Sequence, residues 1–416
     1  MIKEPRPLCS VSGWSLAILL ALGSGGAAEG GDWPKWRGPS GTGMADEALA
    51  EEFDAESVLW RKRIGTGYSS IVVAEGRAFT MGHEKGEEIL WCLDALGGEE
   101  VWAARWSAPL LDNLHEGGPS ATPLVSENGN VFALGKNGDL VCCDSETGKK
   151  LWHVDLISVA GLKGAPEWGF SGSPVMVDGN LLIEAGSTLA FDPGSGALKW
   201  RSQPFRPAYG SPAPFEHSGQ SFLATLKTDG LAILSAENGG TVAFSPWETA
   251  FDTNATTPIV SQGGIFVSTG YDRGCALFRF DGRALSKRYE NQLLCTHMNN
   301  AVLFDGHLYG FDGTAHRGRP TEFVCLEWES GRERWRVPPA EGLGCGSLIA
   351  TNDGKLLILS ERGELVIAEA SPEEYLPGAR AQILGGRCWT PPVLANGVLY
   401  ARNARGDLVA AGAPPK

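Results

Sequence analysis

One phrase recurs along the chain: an acidic turn, then Thr-Gly or a variant of it, then a tryptophan. It reads Asp144-Ser145-Glu146-Thr147-Gly148-Lys149-Lys150-Leu151-Trp152, and returns at Asp192 to Trp200 and at Glu327 to Trp335. A looser copy runs from Asp94 through Gly97-Gly98 to Trp102. Around it stands a fuller template. A Ser/Thr-Pro-apolar segment leads to a glycine turn and an apolar strand, then a second turn, a strand ending in Asp, and a closing strand with tryptophan. Ser173-Pro174-Val175-Met176-Val177-Asp178-Gly179-Asn180-Leu181-Leu182-Ile183 shows its first half. Apolar runs of four to five residues between glycine turns read as strands. A period of this size marks a repeat architecture.

The opening turn glycine can be followed as Gly76, Gly129, Gly179, Gly219, Gly264, Gly306, Gly354 and Gly397, at intervals between 40 (Gly179 to Gly219) and 53 (Gly76 to Gly129). Eight copies of four short antiparallel strands predict an all-β, eight-bladed β-propeller. The last copy ends after Leu408-Val409-Ala410 without its tryptophan strand, whereas Val58-Leu59-Trp60-Arg61 is a closing strand with no blade before it. Pairing the two shuts the ring and removes its exposed edges. Trp60, Trp102, Trp152, Trp200 and Trp335 are read as blade-docking residues, each able to bury on the order of 150–250 Å² on the next blade. Phe244 and Tyr289 stand in the same slot of blades four and five, where the joints are expected to be weaker.

The division expected is 1–28 signal peptide, 29–56 extended lead-in, 57–412 propeller and 413–416 tail. Lys3 and Arg6 precede an apolar run from Trp14 to Leu22 and small residues ending Gly26-Ala27-Ala28, the layout of a secretory signal peptide. The run is too short to span a bilayer, so an exported protein of the periplasm or cell envelope is expected, soluble once cleaved. A net charge of −14 argues against nucleic acid and anionic membrane surfaces as partners. An even number of cysteines follows the signal segment, which permits disulfides in an exported chain. Cys92, Cys142 and Cys325, however, occupy one repeat position where Ala190 stands in another copy, a slot for a small apolar residue.

These repeats resemble those of pyrroloquinoline-quinone-type (PQQ-like) propeller proteins, a group that includes quinoprotein alcohol dehydrogenases and the outer-membrane assembly factor BamB. The lead-in Asp32-Trp33-Pro34-Lys35-Trp36-Arg37-Gly38-Pro39-Ser40-Gly41-Thr42-Gly43 is similar to the opening of exported PQQ-like proteins of planctomycete-type bacteria. The resemblance covers about residues 32–412. It implies two functions: a non-catalytic scaffold of the cell envelope, similar to BamB, with a protein or peptide partner and no cofactor; or an oxidoreductase carrying PQQ and Ca²⁺ in the channel. The quinoproteins close a ring between two adjacent cysteines beneath the quinone, and Cys142-Cys143 is an adjacent pair. Both lie inside one strand, where neighbouring side chains point to opposite faces, so the scaffold is the expectation, as a monomer and without assigned catalytic or metal residues.

The channel mouth is expected to carry His297, Asn299, Asn300, Arg387 and Trp389, with Tyr68, Ser120, Phe170, Tyr209, Asn254 and Cys345 at equivalent positions. A partner loop is expected on blade six, Asp312 to Pro320, where His316, Arg317 and Arg319 form a basic spot on an acidic chain. The segment Leu110 to Pro119, with His115 and Glu116, is a second candidate surface. No P-loop, CxxC pair or nucleophile elbow is present.

Overall fold

A computed structural model describes residues 1–2, 30–50, 53–54, 56–113, 115–315 and 317–412. Residues 3–28 of the expected signal peptide and His316 lie outside the described residues, as does the tail.

Among the described residues eight sheets form, and six of them pair their strands strictly in sequence order. Blade one is typical: Val72–Ala74, Arg77–Glu84, Glu87–Asp94 and Glu100–Ser107, all antiparallel. The first hairpin of six blades turns on a positive-φ residue followed by glycine: Glu75-Gly76, Asp178-Gly179, Ser218-Gly219, Gln262-Gly263, Asp305-Gly306 and Asn396-Gly397. Two consecutive positive φ values make the two-residue turn whose twist matches that of the strands. In blade five the turn glycine is therefore Gly263, not Gly264, which has already entered the strand Gly264–Thr269. Blade six departs from expectation in a second way. Its segment from Asp312 to Pro320 is an extension of the hairpin His307–Thr314 and Arg317–Glu327, with Thr314 facing Arg317 across the ladder, rather than a loop.

The ring closes as the sequence predicts. Val58–Arg63 pairs antiparallel with Asp407–Ala411 and completes blade eight, with Trp60 opposite Ala410. The repeated cysteine slot is explained by register: Cys92, Cys142 and Cys325 face Trp102, Trp152 and Trp335, and Ala190 faces Trp200. Four docking tryptophans then lie on a turn glycine of the next blade, whereas Trp335 meets the glycine-free turn at Ser371. A Cβ on Gly98 would sit 2.5 Å from Trp60, one on Gly148 2.6 Å from Trp102, one on Gly196 2.9 Å from Trp152 and one on Gly239 2.6 Å from Trp200. The glycine is there because the indole leaves no room for a side chain. Trp60, Trp102, Trp152 and Trp335 also donate their indole N–H to turn carbonyls of Ala95, Ser145, Pro193 and Ser371 at 2.9–3.0 Å. Phe244 remains 42% exposed, a poor dock, whereas Tyr289 covers Gly331 as the tryptophans cover theirs.

The lead-in is not a loose arm. Trp33 bridges to Val73 of blade one through backbone hydrogen bonds of 2.8 and 2.9 Å, and Pro34 accepts from Val125 of blade two. Trp36 donates to Thr257 Oγ1 of blade five at 3.0 Å. Arg37 donates to the carbonyl of Ala301 ahead of blade six at 3.1 Å and to its own segment at Gly41 and Thr42. Met44–Ala45 adds a parallel fifth strand inside blade seven, and Glu47 accepts the Gly397 N–H of blade eight. The segment thus crosses one end of the channel and touches six blades. Arg37 holds it with a single buried guanidinium whose pKa burial lowers to about 10. Arg37→Ala is expected to release this plug while the blades stay folded. Limited proteolysis should then cut between residues 30 and 47 at least several-fold faster, with the main melting transition little moved.

Candidate functional site

The other end of the channel is walled by the turns between second and third strands and by the connectors that join blades. Between this mouth and the Trp36 plug lies a cavity of about 430 Å³. Its lining is aromatic: Trp36, Tyr68, Trp168, Tyr209, Phe251, Tyr271 and Trp389, with His115, His297, Met298 and Asn299.

Of the expected mouth residues, His297, Asn299 and Trp389 line this cavity. Tyr68, Ser120 and Tyr209 do as well, whereas Phe170, Asn254 and Cys345 are buried beside it. Asn299 donates to the Gly346 carbonyl at 2.7 Å and ties blade six to blade seven. Asn300 does not reach the cavity. It exchanges hydrogen bonds with the Thr257 backbone and ties blade six to blade five. His297 stands edge-on to Tyr271 at 5.1 Å.

Arg387 lies over the Trp389 ring at 4.4 Å, and Trp389 stacks on Tyr68 at 5.7 Å. Tyr68 and Arg387 both donate to the same carboxylate oxygen of Glu116, from the connector Leu110 to Pro119. Burial raises the Glu116 pKa, but the Tyr68 hydrogen bond and the Arg387 charge outweigh it and hold the carboxyl below its usual range. This clamp draws the connector over the mouth, and its His115 ring stacks on Trp168 at 5.8 Å. On the far rim Phe251, Asp252, Tyr271 and Asp272 all have positive φ, and Phe251, 59% exposed, packs on Tyr271 at 5.1 Å. Non-glycine residues so constrained collect at ligand clamps and other functional sites.

Of the basic spot on blade six, Arg319 is engaged within the fold. Arg319 donates to Asp312 at 2.8 Å, and Arg336 binds the same carboxylate. Asp312 is 1% exposed; burial raises its pKa, and the two arginines more than reverse that. The Arg317 side chain, like His316, lies outside the described residues.

The cavity residues do not fit a quinone with its cation. Cys142 and Cys143 are free and buried on opposite faces of their strand, Cys142 packed in one core with Phe132 and Cys143 in another with Val131. Glu167 is the one carboxylate among the described lining residues, and no group of three or more His, Cys, Asp or Glu suited to a metal ion stands among the described residues. A hard cation takes six to eight oxygen ligands, far more than this wall offers.

The profile of the family described as "Outer membrane protein assembly factor BamB" matches residues 46–155 and 85–203. The fold is shared with BamB from Moraxella catarrhalis, at 14% identity and a TM-score of 0.62, over 86% of this chain and 99% of that one. It is also shared with the quinohemoprotein alcohol dehydrogenase from Comamonas testosteroni, at 12% identity and a TM-score of 0.70, over 94% of this chain and 82% of that one. A europium-containing methanol dehydrogenase aligns at 11% identity and a TM-score of 0.67, over 89% of each chain. No curated protein matches the sequence significantly. The class that the fold defines is an eight-bladed propeller, and the family profile matches its repeats over residues 46–203. Within it the chain is BamB-like over the first blades.

Among the lining residues that the sequence did not point to are Trp36, Lys136, Trp168, Phe251 and Met298. Trp36 and Trp168 could have been flagged as tryptophans outside the docking register. Lys136 sits in an ordinary Gly-Lys-Asn-Gly turn and carries no sequence signal.

Proposed function

We propose that the protein is a non-catalytic binding scaffold of the bacterial cell envelope, exported through its N-terminal signal peptide and acting as a monomer. The observation that carries this reading is the blind, aromatic-walled channel, crossed at one end by the lead-in and rimmed at the other by the clamped connector and the exposed Phe251. A rigid ring with recognition loops on one face suits protein or peptide capture. The BamB-like profile supports the same reading, and the misfit to a quinone and cation weighs against the dehydrogenase alternative.

The test is crosslinking and pull-down from envelope extract with the mature protein and with Phe251→Glu. The unmodified protein should recover a defined partner, and the variant should lose most of it with unchanged melting. Failure to recover any partner, or equal recovery by the variant, sinks the reading. Added PQQ and Ca²⁺ should produce neither quinone absorbance in the re-isolated protein nor alcohol oxidation.

A further inference from the structure

Two hydrogen-bond donors on the channel wall have no acceptor among the described residues. The first is the ammonium of Lys136, a residue only 2% exposed, in the turn between strands Asn130–Leu134 and Asp139–Asp144. Its backbone is fully engaged: the N–H goes to Glu88 Oε1 at 2.8 Å and the carbonyl accepts the Phe170 N–H at 2.9 Å. The Glu88 carboxylate is held in place by that N–H and by the Trp106 indole at 3.0 Å, and it forms no ion pair with the ammonium. The second donor is the Trp168 indole N–H, buried and without an acceptor. The two belong together. A Cβ on Gly169, next to Trp168, would lie 2.2 Å from Lys136 Cγ and 3.1 Å from its Cε, so this backbone packs along the lysine stem. Both side chains line the one cavity.

A buried donor left without an acceptor, as at the Trp168 indole, costs about 1–3 kcal/mol. The complement to an ammonium beside an N–H is an acceptor-only group with two oxygens, a carboxylate. Tyr209, Tyr271, Phe251 and Trp389 surround the rest of the space with apolar surface, which asks for a large apolar body next to the charge. The plug at Trp36 blocks a chain from running through, so a polypeptide can enter only by its end.

We propose that the channel binds the carboxyl terminus of a partner polypeptide ending in an aromatic or large aliphatic residue, with the terminal carboxylate on Lys136 and Trp168 and the last side chain among the rings. This rests on the scaffold reading and gives its ligand chemistry. The cavity lies within the roughly 300–1,000 Å³ range of ligand sites. Burial also brings the Lys136 pKa down to about 8, against the raising effect of Glu88. Loss of the lysine charge therefore weakens binding as pH rises past about 8, with the bound carboxylate moving that midpoint upward. The charged groups facing it are Glu88, with His83 and Asp139 behind, and Glu167 and His115 of the cavity wall.

The experiment is calorimetric titration of the mature protein with a synthetic hexapeptide ending in phenylalanine, as free acid and as C-terminal amide, with N-acetylphenylalanine and phenylacetate as small carboxylates. The free-acid peptide should bind, the amide about tenfold or more weaker, and Lys136→Met and Trp168→Phe should each lose about tenfold or more. Glu167→Gln should bind at least as tightly, because it removes a like charge from the rim. Equal binding of acid and amide, or full affinity in Lys136→Met, overturns the proposal. If the small carboxylates bind as tightly as the peptide, the ligand is a free carboxylate and the polypeptide terminus is overturned. Should Lys136→Met fail to fold, the unmodified protein decides: affinity that does not fall between roughly pH 7 and pH 10, the span in which a lysine of lowered pKa discharges, overturns the lysine contact. Because the peptides are synthetic, an extract that yields no partner bears on the scaffold alone, and a peptide that fails to bind bears on the channel alone.

Discussion

Trp60→Ala should lower stability toward denaturant by roughly 3–5 kcal/mol, the usual cost of truncating a buried tryptophan, and should do more harm than any other docking tryptophan. Trp60 is 8% exposed, whereas its counterparts at Trp102, Trp152, Trp200 and Trp335 are half-buried. It covers Gly98, donates to the Ala95 carbonyl and packs on Tyr400 at 6.0 Å. Tyr400 donates to the same carbonyl at 3.0 Å, so one turn of blade one receives two side chains from blade eight. Nearby, buried Arg402 of blade eight donates to the carbonyls of Gly65, Ser69 and Met81 and to Thr80, with burial lowering its pKa to about 9. The ring's seam lies within blade eight, where the Trp60 strand Val58–Arg63 pairs with Asp407–Ala411 by hydrogen bonds alone before the chain runs on into blade one. Weakening it exposes two sheet edges, and exposed edges template aggregation. Trp200→Ala should cost less, because its indole N–H already lacks an acceptor among the described residues and its blade is one continuous stretch of chain. Urea denaturation followed by tryptophan fluorescence and light scattering would compare them. A Trp60→Ala protein that unfolds later than Trp200→Ala, without aggregation, would contradict the seam as the weak link.

The ring was legible because its signals are local and repeated. The positive-φ glycine turns, the small residue opposite tryptophan, and the orphan strand at Val58 each follow from backbone geometry that acts within one blade. The channel was legible only where it inherits repeat position, as at Tyr68, Tyr209, His297 and Trp389. Lys136 and Trp168 occupy turns whose composition is unremarkable, and they meet only because blades two and three bring their connectors together. The plug is the extreme case. Arg37 and Ala301 are separated by 264 residues, and no period relates them. The blade-six basic spot shows the converse: Arg319 reads as a free cation in sequence, but Asp312, seven residues away, receives it in the hairpin.

Glu184→Gln and Lys227→Met should each lose about 3–5 kcal/mol, whereas Glu184→Leu combined with Lys227→Met should lose less than either. Glu184 and Lys227 form an ion pair with both side chains at 0% exposure, joining blade three to blade four. Lys227 donates to Glu184, to the Gly186 carbonyl and to Thr188 Oγ1, so all three ammonium hydrogens are received. Glu184 in turn accepts from the Gly186 N–H and the Thr188 hydroxyl. Phe205 faces the ammonium at 5.3 Å. Each single change strands one partner in a site without water access, and a stranded charge costs more than the satisfied pair contributes. The double change removes both desolvation penalties and substitutes apolar contacts. Burial lowers the Lys227 pKa, and Glu184 partly restores it. In Glu184→Gln the restoring charge is gone, so the folded-state pKa falls further below the unfolded value of about 10.4. The unfolded state then binds more protons across that window, so stability relative to the unmodified protein should rise with pH through it. Below the lowered pKa the deficit should be constant. Denaturation of the four proteins at about pH 7 and near pH 10, toward the two ends of that window, reads both effects. Additive losses in the double variant, or a Glu184→Gln deficit that grows toward alkaline pH, would show that the pair acts as two independent polar contacts and not as one buried unit.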